Sequence, residues 1–268
     1  MSYFTDKVVV VTGGSDGIGK ALVDALLQQG AKVSTCARNY DKLYRLKTNY
    51  PDKPFIVQAA DVSKEGECKN FIEETINTFG TIDILVNNAG ISMRALFEDA
   101  GLDILHRVMD INFWGTVYCT KYAMPYITQQ RGTVVAVSSV AGYRGIPGRT
   151  GYNASKFAMQ GFMESLRTEL LNSGVNIMWV CPGFTASNIR NACLTKDGKP
   201  QGFTTLDESG LMSAEECAAM TLKAIEAKKR TLVYTMADKR TIILNKLFPR
   251  LADKLIYKFF YKNGELVK

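Results

Sequence analysis

Tyr152 and Lys156 stand four residues apart in Gly151-Tyr152-Asn153-Ala154-Ser155-Lys156, and Ser139 precedes the tyrosine by thirteen. Residues four apart on a helix project from one face, about one turn from each other. A phenol in water titrates near ~10, and an ammonium close by favours the phenolate. The pair is therefore expected to make Tyr152 a proton donor usable near neutral pH. Ser139 closes the run Thr133-Val134-Val135-Ala136-Val137-Ser138-Ser139, which reads as a buried strand ending in hydroxyls. A strand end and a helix start can bring that hydroxyl beside the Tyr–Lys pair.

The elements around these residues alternate. Residues 7–12 form a β-branched run, followed by Thr12-Gly13-Gly14-Ser15-Asp16-Gly17-Ile18-Gly19 and by helical periodicity over 20–29. In the context of strand, glycine turn and helix, Gly13 suits a tight turn and Gly17 a close approach of a pyrophosphate to the backbone. Gly19 would let the helix pack closely on the strand, with its N-terminal N–H groups facing the phosphates. A second strand over 32–36 runs into Ala37-Arg38-Asn39, where a dinucleotide fold places the adenosine ribose. An arginine there suits the 2′-phosphate of NADP, and no carboxylate occurs before Asp41, so NADP(H) is expected. Further strands are predicted over 55–59, 82–86, 178–181 and 232–234, with helices over 65–79, 105–126, 151–172 and 213–229. Asp61-Val62 follows the third strand, Asn87-Asn88-Ala89-Gly90 the fourth, and Pro182-Gly183 the sixth. Asn112 is a polar amide in an apolar stretch (Val108, Ile111, Phe113, Trp114), so it needs a partner or a task. This alternation implies an α/β fold, a doubly wound parallel sheet with helices on both faces.

Composition narrows the function classes. The chain has 268 residues, 46% hydrophobic and 22% charged, which suits a soluble globular protein with a sizeable core. Six scattered cysteines without metal-ligand spacing argue for reduced thiols in a cytoplasmic setting rather than zinc or disulfides. No leader peptide and no membrane-spanning run is expected. The net charge is +7, of which +6 sits in residues 239–268, so a general nucleic-acid-binding surface is not expected. The sole histidine, His106, reads as a solvated or hydrogen-bonded surface residue.

Taken together, TGGSDGIG at 12–19, NNAG at 87–90, the serine at 139 and YNASK at 152–156 resemble the short-chain dehydrogenase/reductase family over residues 5 to about 235. Pro182-Gly183 stands where that family has a turn. The resemblance implies a Rossmann-like fold and an oxidoreductase that interconverts a ketone and a secondary alcohol with NADPH. It implies that Tyr152 donates the proton and that Lys156 lowers its pKa and holds the nicotinamide ribose. Ser139 orients the carbonyl, and Asn112 kinks its helix to hold a water in a proton relay. It implies cofactor contacts from Gly13, Ser15, Asp16, Gly17, Ile18 and Gly19, and from Arg38, Asp61 and Val62. Asn88, Ala89, Gly90, Pro182, Gly183, Thr185 and Ser187 complete that set. A serine at 187 replaces the commoner threonine. Asp16 stands where many NADP users carry a base, which leaves the preference resting on Arg38.

Within the family the chain is more similar to the hydroxysteroid-dehydrogenase-like reductases, because it continues past the last strand. Residues 1–238 are expected to form the catalytic unit, with a substrate lid or disordered insertion over about 186–212. Residues 239–268 read as a basic amphipathic helix broken at Pro249. Such a segment can lie on an anionic membrane surface, on a neighbouring subunit or on its own core. The expected substrate is bulky and hydrophobic, steroid-, sphingoid- or lipid-like. A β-ketoacyl thioester reductase and a non-catalytic NADP-binding scaffold at a membrane are the alternatives. The family also implies a homodimer or homotetramer.

Overall fold

Within each central strand, neighbouring side chains serve opposite faces, as a pleated strand requires. Val9 and Val11 join one apolar core while Val10 joins another. Ile84 and Val86 separate from Leu85 in the same way, and Val135 and Val137 from Val134 and Ala136. All ten of these residues are under 8% exposed, so the sheet is covered on both faces and its strands read as continuous apolar runs.

The computed structural model describes residues 1–186, 188–204 and 210–267. In chain order the elements are β1 (Val8–Thr12), α1 (Gly17–Gln28), β2 (Lys32–Ala37), α2 (Tyr40–Thr48), β3 (Phe55–Ala59) and α3 (Glu65–Phe79). Next come β4 (Ile84–Asn87), α4 (Leu102–Met109), a π-helical turn (Asp110–Trp114), α5 (Gly115–Gln129) and β5 (Thr133–Val137). A 3-10 turn (Val140–Gly142) leads to α6 (Thr150–Glu169), β6 (Asn176–Cys181), α7 (Ala214–Glu226) and β7 (Thr231–Val233). The chain finishes with α8 (Met236–Leu247), α9 (Pro249–Phe260) and the small hairpin β8 (Tyr261–Lys262) and β9 (Glu265–Leu266).

Seven strands form one parallel sheet in the order β3-β2-β1-β4-β5-β6-β7. This is a Rossmann-like α/β fold. Helices α1 and α7 pack on one face; α3, α5 and α6 cover the other. The order reverses between β1 and β4, and ligands of open α/β sheets bind at such a point, outside the carboxyl ends of the strands.

The predicted helix over 105–126 is longer and interrupted. It runs from Leu102 to Gln129 and widens over Asp110–Trp114, where the Gly115 N–H reaches back to the Asp110 carbonyl. Asn112 is the physical reason: its side chain is drawn out of the helix to the backbone of Ile91. Helix α7 starts on a reciprocal cap between Ser213 and Glu216. Pro249 opens α9, so the expected break falls at Phe248, which is the last residue before it.

Candidate active site

The turn after β1 owes its shape to glycine. Gly13 has φ +71°, and a Cβ there would stand 2.9 Å from the Ala89 Cα. A Cβ on Gly19 would lie 2.2 Å from the Gly13 carbonyl oxygen and 2.4 Å from the Asn88 amide nitrogen. The close approach that Gly19 permits is therefore to its own turn and the 87–90 loop, not to the strand. Thr12 locks the two loops together. Its hydroxyl accepts from the backbone N–H groups of Asn88 and Ala89, both at 3.0 Å, while the Asn88 amide donates to the Thr12 carbonyl at 2.9 Å.

Asp16 caps α1 by accepting from the Gly17 N–H at 2.8 Å, and its other oxygen accepts from Lys42 Nζ at 2.7 Å. Those contacts outweigh the effect of its partial burial and hold the carboxyl below its usual range. Lys42 is a residue that sequence reasoning missed. It neutralises the carboxylate next to the turn and joins Arg38 on the wall of the same cavity. The question that finds it in the sequence is which cation lies within reach of Asp16; it is four residues beyond Arg38, in the first turn of α2.

A cavity of about 900 Å³ extends along the carboxyl edge of the sheet. Its wall includes Gly13, Ser15, Asp16, Gly17, Ile18 and Gly19 from the glycine turn. Arg38, Asp61 and Val62 line it from the neighbouring strands. Asn88, Ala89, Gly90, Pro182, Gly183 and Thr185 also line it. Ser139, Tyr152 and Lys156 open onto this cavity as well. Ser187 lies outside the described residues. Asn112 is wholly buried behind the wall, where its amide accepts from Ile91 N–H at 2.8 Å and donates to the Ile91 carbonyl at 3.0 Å and to Ser155 Oγ at 2.9 Å. A Cβ on Gly90 would stand 3.1 Å from Asn112 Oδ1 and 3.7 Å from Lys156 Nζ, so this loop passes close to both the asparagine and the lysine. The Asp61 carboxylate accepts from the backbone N–H and hydroxyl of Ser63, which orders the loop after β3.

At the centre, Lys156 donates to the Val137 carbonyl at 2.8 Å, and its Nζ lies 5.6 Å from the centre of the Tyr152 ring. Burial drives the lysine down to about 8. The expectation that this ammonium would bring the phenol down is corrected. Burial raises Tyr152, and it outweighs the opposing hydrogen bond with Ser139 and the positive charge of Arg149. The lysine's own hydrogen bond goes to a carbonyl rather than to the phenol. Ser139 caps the 3-10 turn, its Oγ accepting from Ala141 N–H at 3.2 Å.

The far wall comes from α8 and α9. Leu244, Leu255, Ile256 and Phe259 line the cavity, and Arg144 pins the two helices by donating to Asn245 Oδ1 at 3.0 Å and to Asp253 Oδ1 at 2.7 Å. The terminal segment thus packs on its own chain, one of the three placements its sequence allowed. The part of the 186–212 stretch within the described residues is anchored by Cys193 and Leu194, both under 5% exposed, with Leu194 bridged to Met93. No group of His, Cys, Asp and Glu among the described residues is arranged to hold a metal.

The site residues fit a nicotinamide dinucleotide: the glycine turn before α1 opens onto the cavity, and Arg38 and Lys42 line its outer end. The family description "short chain dehydrogenase" matches residues 7–197. An 11-beta-hydroxysteroid dehydrogenase-like 4A protein of Arabidopsis thaliana is 38% identical over 226 residues, covering 82% of this chain and 73% of that protein. Dehydrogenase/reductase SDR family member 7B of Rattus norvegicus is 33% identical over 266 residues, covering 95% and 82%. Among solved structures, a short chain dehydrogenase/reductase from Burkholderia phymatum in complex with NAD superposes with a TM-score of 0.84 at 23% identity, covering 94% of this chain and 96% of that one. An alcohol dehydrogenase from Thermococcus sibiricus complexed with 5-hydroxy-NADP gives 0.73 at 23% identity, over 85% and 95%. With the family match spanning most of the sheet and both catalytic-type motifs, the chain belongs to the short chain dehydrogenase family of oxidoreductases.

Proposed function

We propose that the protein is an NADPH-dependent oxidoreductase that interconverts a ketone and a secondary alcohol on a bulky hydrophobic substrate. The observation that carries this reading is the convergence of Ser139, Tyr152 and Lys156 on one cavity, shared by the glycine turn at one end and apolar helices at the other. When bound, the cofactor supplies the hydride. Tyr152 gives its proton to the carbonyl oxygen, and Ser139 orients that oxygen by hydrogen bonding. The positive charge of Arg149 favours the phenolate left behind, and Lys156 holds the nicotinamide ribose. Asn112 positions Lys156 through Gly90 and Ile91, and its widened helix is the place where a relay water is expected. Arg38, together with Lys42, supports a preference for the 2′-phosphate of NADPH.

Residues 1–238 act as the catalytic unit, 186–212 as the substrate lid, and 239–268 as a wall that also meets a membrane surface peripherally. Supporting that last role, Ile243, Leu247 and Leu251 are 48–61% exposed and lie outside the cavity lining. Arg250, Lys254, Lys258 and Lys262 form a basic row beside them. Exposed Trp114 at the end of the π-helical turn and Phe157 on α6 support assembly as a homodimer or homotetramer. Six buried free thiols support a reducing, cytoplasmic compartment.

The test is a titration with NADPH and NADH, followed by NADPH oxidation with ketosteroids, 3-keto sphingoid bases and β-ketoacyl thioesters. Tyr152→Phe is expected to lower turnover roughly 10²–10⁴-fold while leaving NADPH affinity within a small factor. Full turnover by the phenylalanine variant would end the reading.

A further inference from the structure

Among the described residues, Arg149 is a buried cation with nothing to hold. It stands three residues before Tyr152, is 7% exposed, and lines the cavity. Among the described residues its guanidinium has neither a hydrogen bond nor an ion pair, since the ion pairs use Lys7, Lys20, Lys42, Lys69 and Arg144. Its charged neighbours make matters worse: Arg94 and Arg190 both repel it, and only Tyr152 and Cys193 act in its favour. Arg94 and Arg190 have partners of their own, the Leu266 carbonyl and the Thr204 hydroxyl respectively. A guanidinium taken out of water without an anion is costly, and burial pushes its pKa down, although arginine is the side chain that holds its charge most firmly. The backbone beside it is paired with the 94–95 segment, Ala95 N–H donating to the Gly148 carbonyl at 2.9 Å, and Arg94 N–H donates in turn to the Leu194 carbonyl at 2.8 Å, so Arg149 stands beside these segments and not at the glycine turn.

We propose that Arg149 binds a carboxylate carried by the substrate, so that this enzyme acts on acidic amphiphiles. The planar fork of an arginine accepts a carboxylate through two parallel hydrogen bonds, and one unpaired charge calls for one anion. The apolar body of such a molecule has a complementary surface in Leu244, Leu255, Ile256 and Phe259 on the same cavity. The reacting carbonyl then lies between the two, at Tyr152 and Ser139. A substrate with an ammonium group is disfavoured, because it would meet the arginine cluster. This inference deepens the ketone-reductase reading by naming the substrate class, and it is tested by binding rather than turnover so that the two can fail separately.

The experiment is calorimetric titration of the full-length protein with decanoate, decan-1-ol and decylamine. Decanoate is expected to bind at least about tenfold more tightly than either, the size of one charge-assisted hydrogen-bonded pair. In Arg149→Met that advantage disappears; in Arg149→Lys part of it remains. Combined Lys254→Gln and Lys258→Gln substitutions on α9 leave it unchanged, which separates the cavity from the basic outer surface. Equal binding of acid and alcohol to the unaltered protein would overturn the proposal. So would an acid preference that survives Arg149→Met, or one that vanishes with the α9 lysines. If thermal unfolding shows that Arg149→Met does not fold, the unaltered protein and the α9 variant still decide the matter. An acid preference lost only at Arg149, in a protein that reduces no ketone, supports the site and counts against the reductase reading alone.

Discussion

The two ends of the cavity are built by different means. At the nucleotide end, backbone meets backbone: Gly13 and Gly19 leave no room for a side chain, and the nearby carboxylate of Asp16 is paired with Lys42. At the substrate end, side chains from four distant stretches meet: Arg144 and Arg149, Arg190 and Cys193, and α8 with α9. There the charge of Arg149 has no partner among the described residues, and α8 and α9 supply an apolar wall. The first end suits a ligand that does not vary, where any change of shape is a clash. The second can change its lining without touching the turn. The contrast teaches how each end is constrained: the glycine turn by close backbone packing, the far wall by what its lining offers.

The sharpest way to break the nucleotide end is Gly19→Val. Its Cβ would stand 2.2 Å from the Gly13 carbonyl oxygen, a backbone atom with little freedom to move. A loss of roughly 3 kcal/mol of stability or more is expected, with NADPH affinity falling more than ~100-fold by the same overpacking; fluorescence titration and thermal unfolding read both. Retained affinity would show that the turn is softer than its contacts imply.

Lys156 lies between the two ends and gives the next largest effect. Burial lowers it from 10.5 to about 8, so between those values the unfolded chain holds more protons than the folded one. Stability of the cofactor-free protein therefore rises with pH through that window, and the burial cost is fully present below about 8. Turnover moves the other way: kcat/KM for ketone reduction should fall as pH passes about 8, where the ammonium is lost. Lys156→Met should be inactive yet more stable at neutral pH, by about 1 kcal/mol. A variant both inactive and less stable would mean that the bond to Val137 matters more than the buried charge.

Arg38→Ala sharpens the comparison from the cofactor side. The ratio of NADPH to NADH affinity should drop by roughly 10–100-fold, and adding Lys42→Ala should strip the remainder, as measured by parallel titrations. An unchanged ratio would remove both residues from the 2′-phosphate. The smallest effect is expected on the outside of the substrate wall. Each lysine near an anionic bilayer contributes about 1 kcal/mol, so Lys254→Gln with Lys258→Gln should weaken sedimentation with phosphatidylserine vesicles roughly tenfold or more. No change would leave the exposed apolar row without a membrane role.

Much of this was legible because it is local. The strand, glycine turn and helix of 8–28 are adjacent in sequence, and Tyr152 and Lys156 share one helix, so spacing alone carried them. The helix over Glu65–Phe79 and the break before Pro249 were read for the same reason. The Arg144 link to Asp253 spans 109 residues and has no periodic signal. The direction of the Tyr152 shift was missed because neighbours in sequence say nothing about desolvation, which is set by everything packed around the ring. Lys42 belongs between these cases: near in sequence to Arg38, yet meaningful only once α2 brings it to Asp16.

The widened turn at Asp110–Trp114 lets one long helix serve two different cores. Upstream, Ile104 and Val108 pack with Met93 and Leu194 beside Tyr152; downstream, Cys119, Ala123 and Ile127 belong to the sheet. Relative to a regular helix the turn is an insertion of one residue. Removing one residue there would restore a regular helix but rotate everything beyond it by about 100°, the angle of one residue in 3.6 per turn. Asn112 could then stay with Ile91 or the downstream residues with the sheet, but not both. The insertion is what allows the wall of the site and the frame of the fold to be drawn from a single piece of chain.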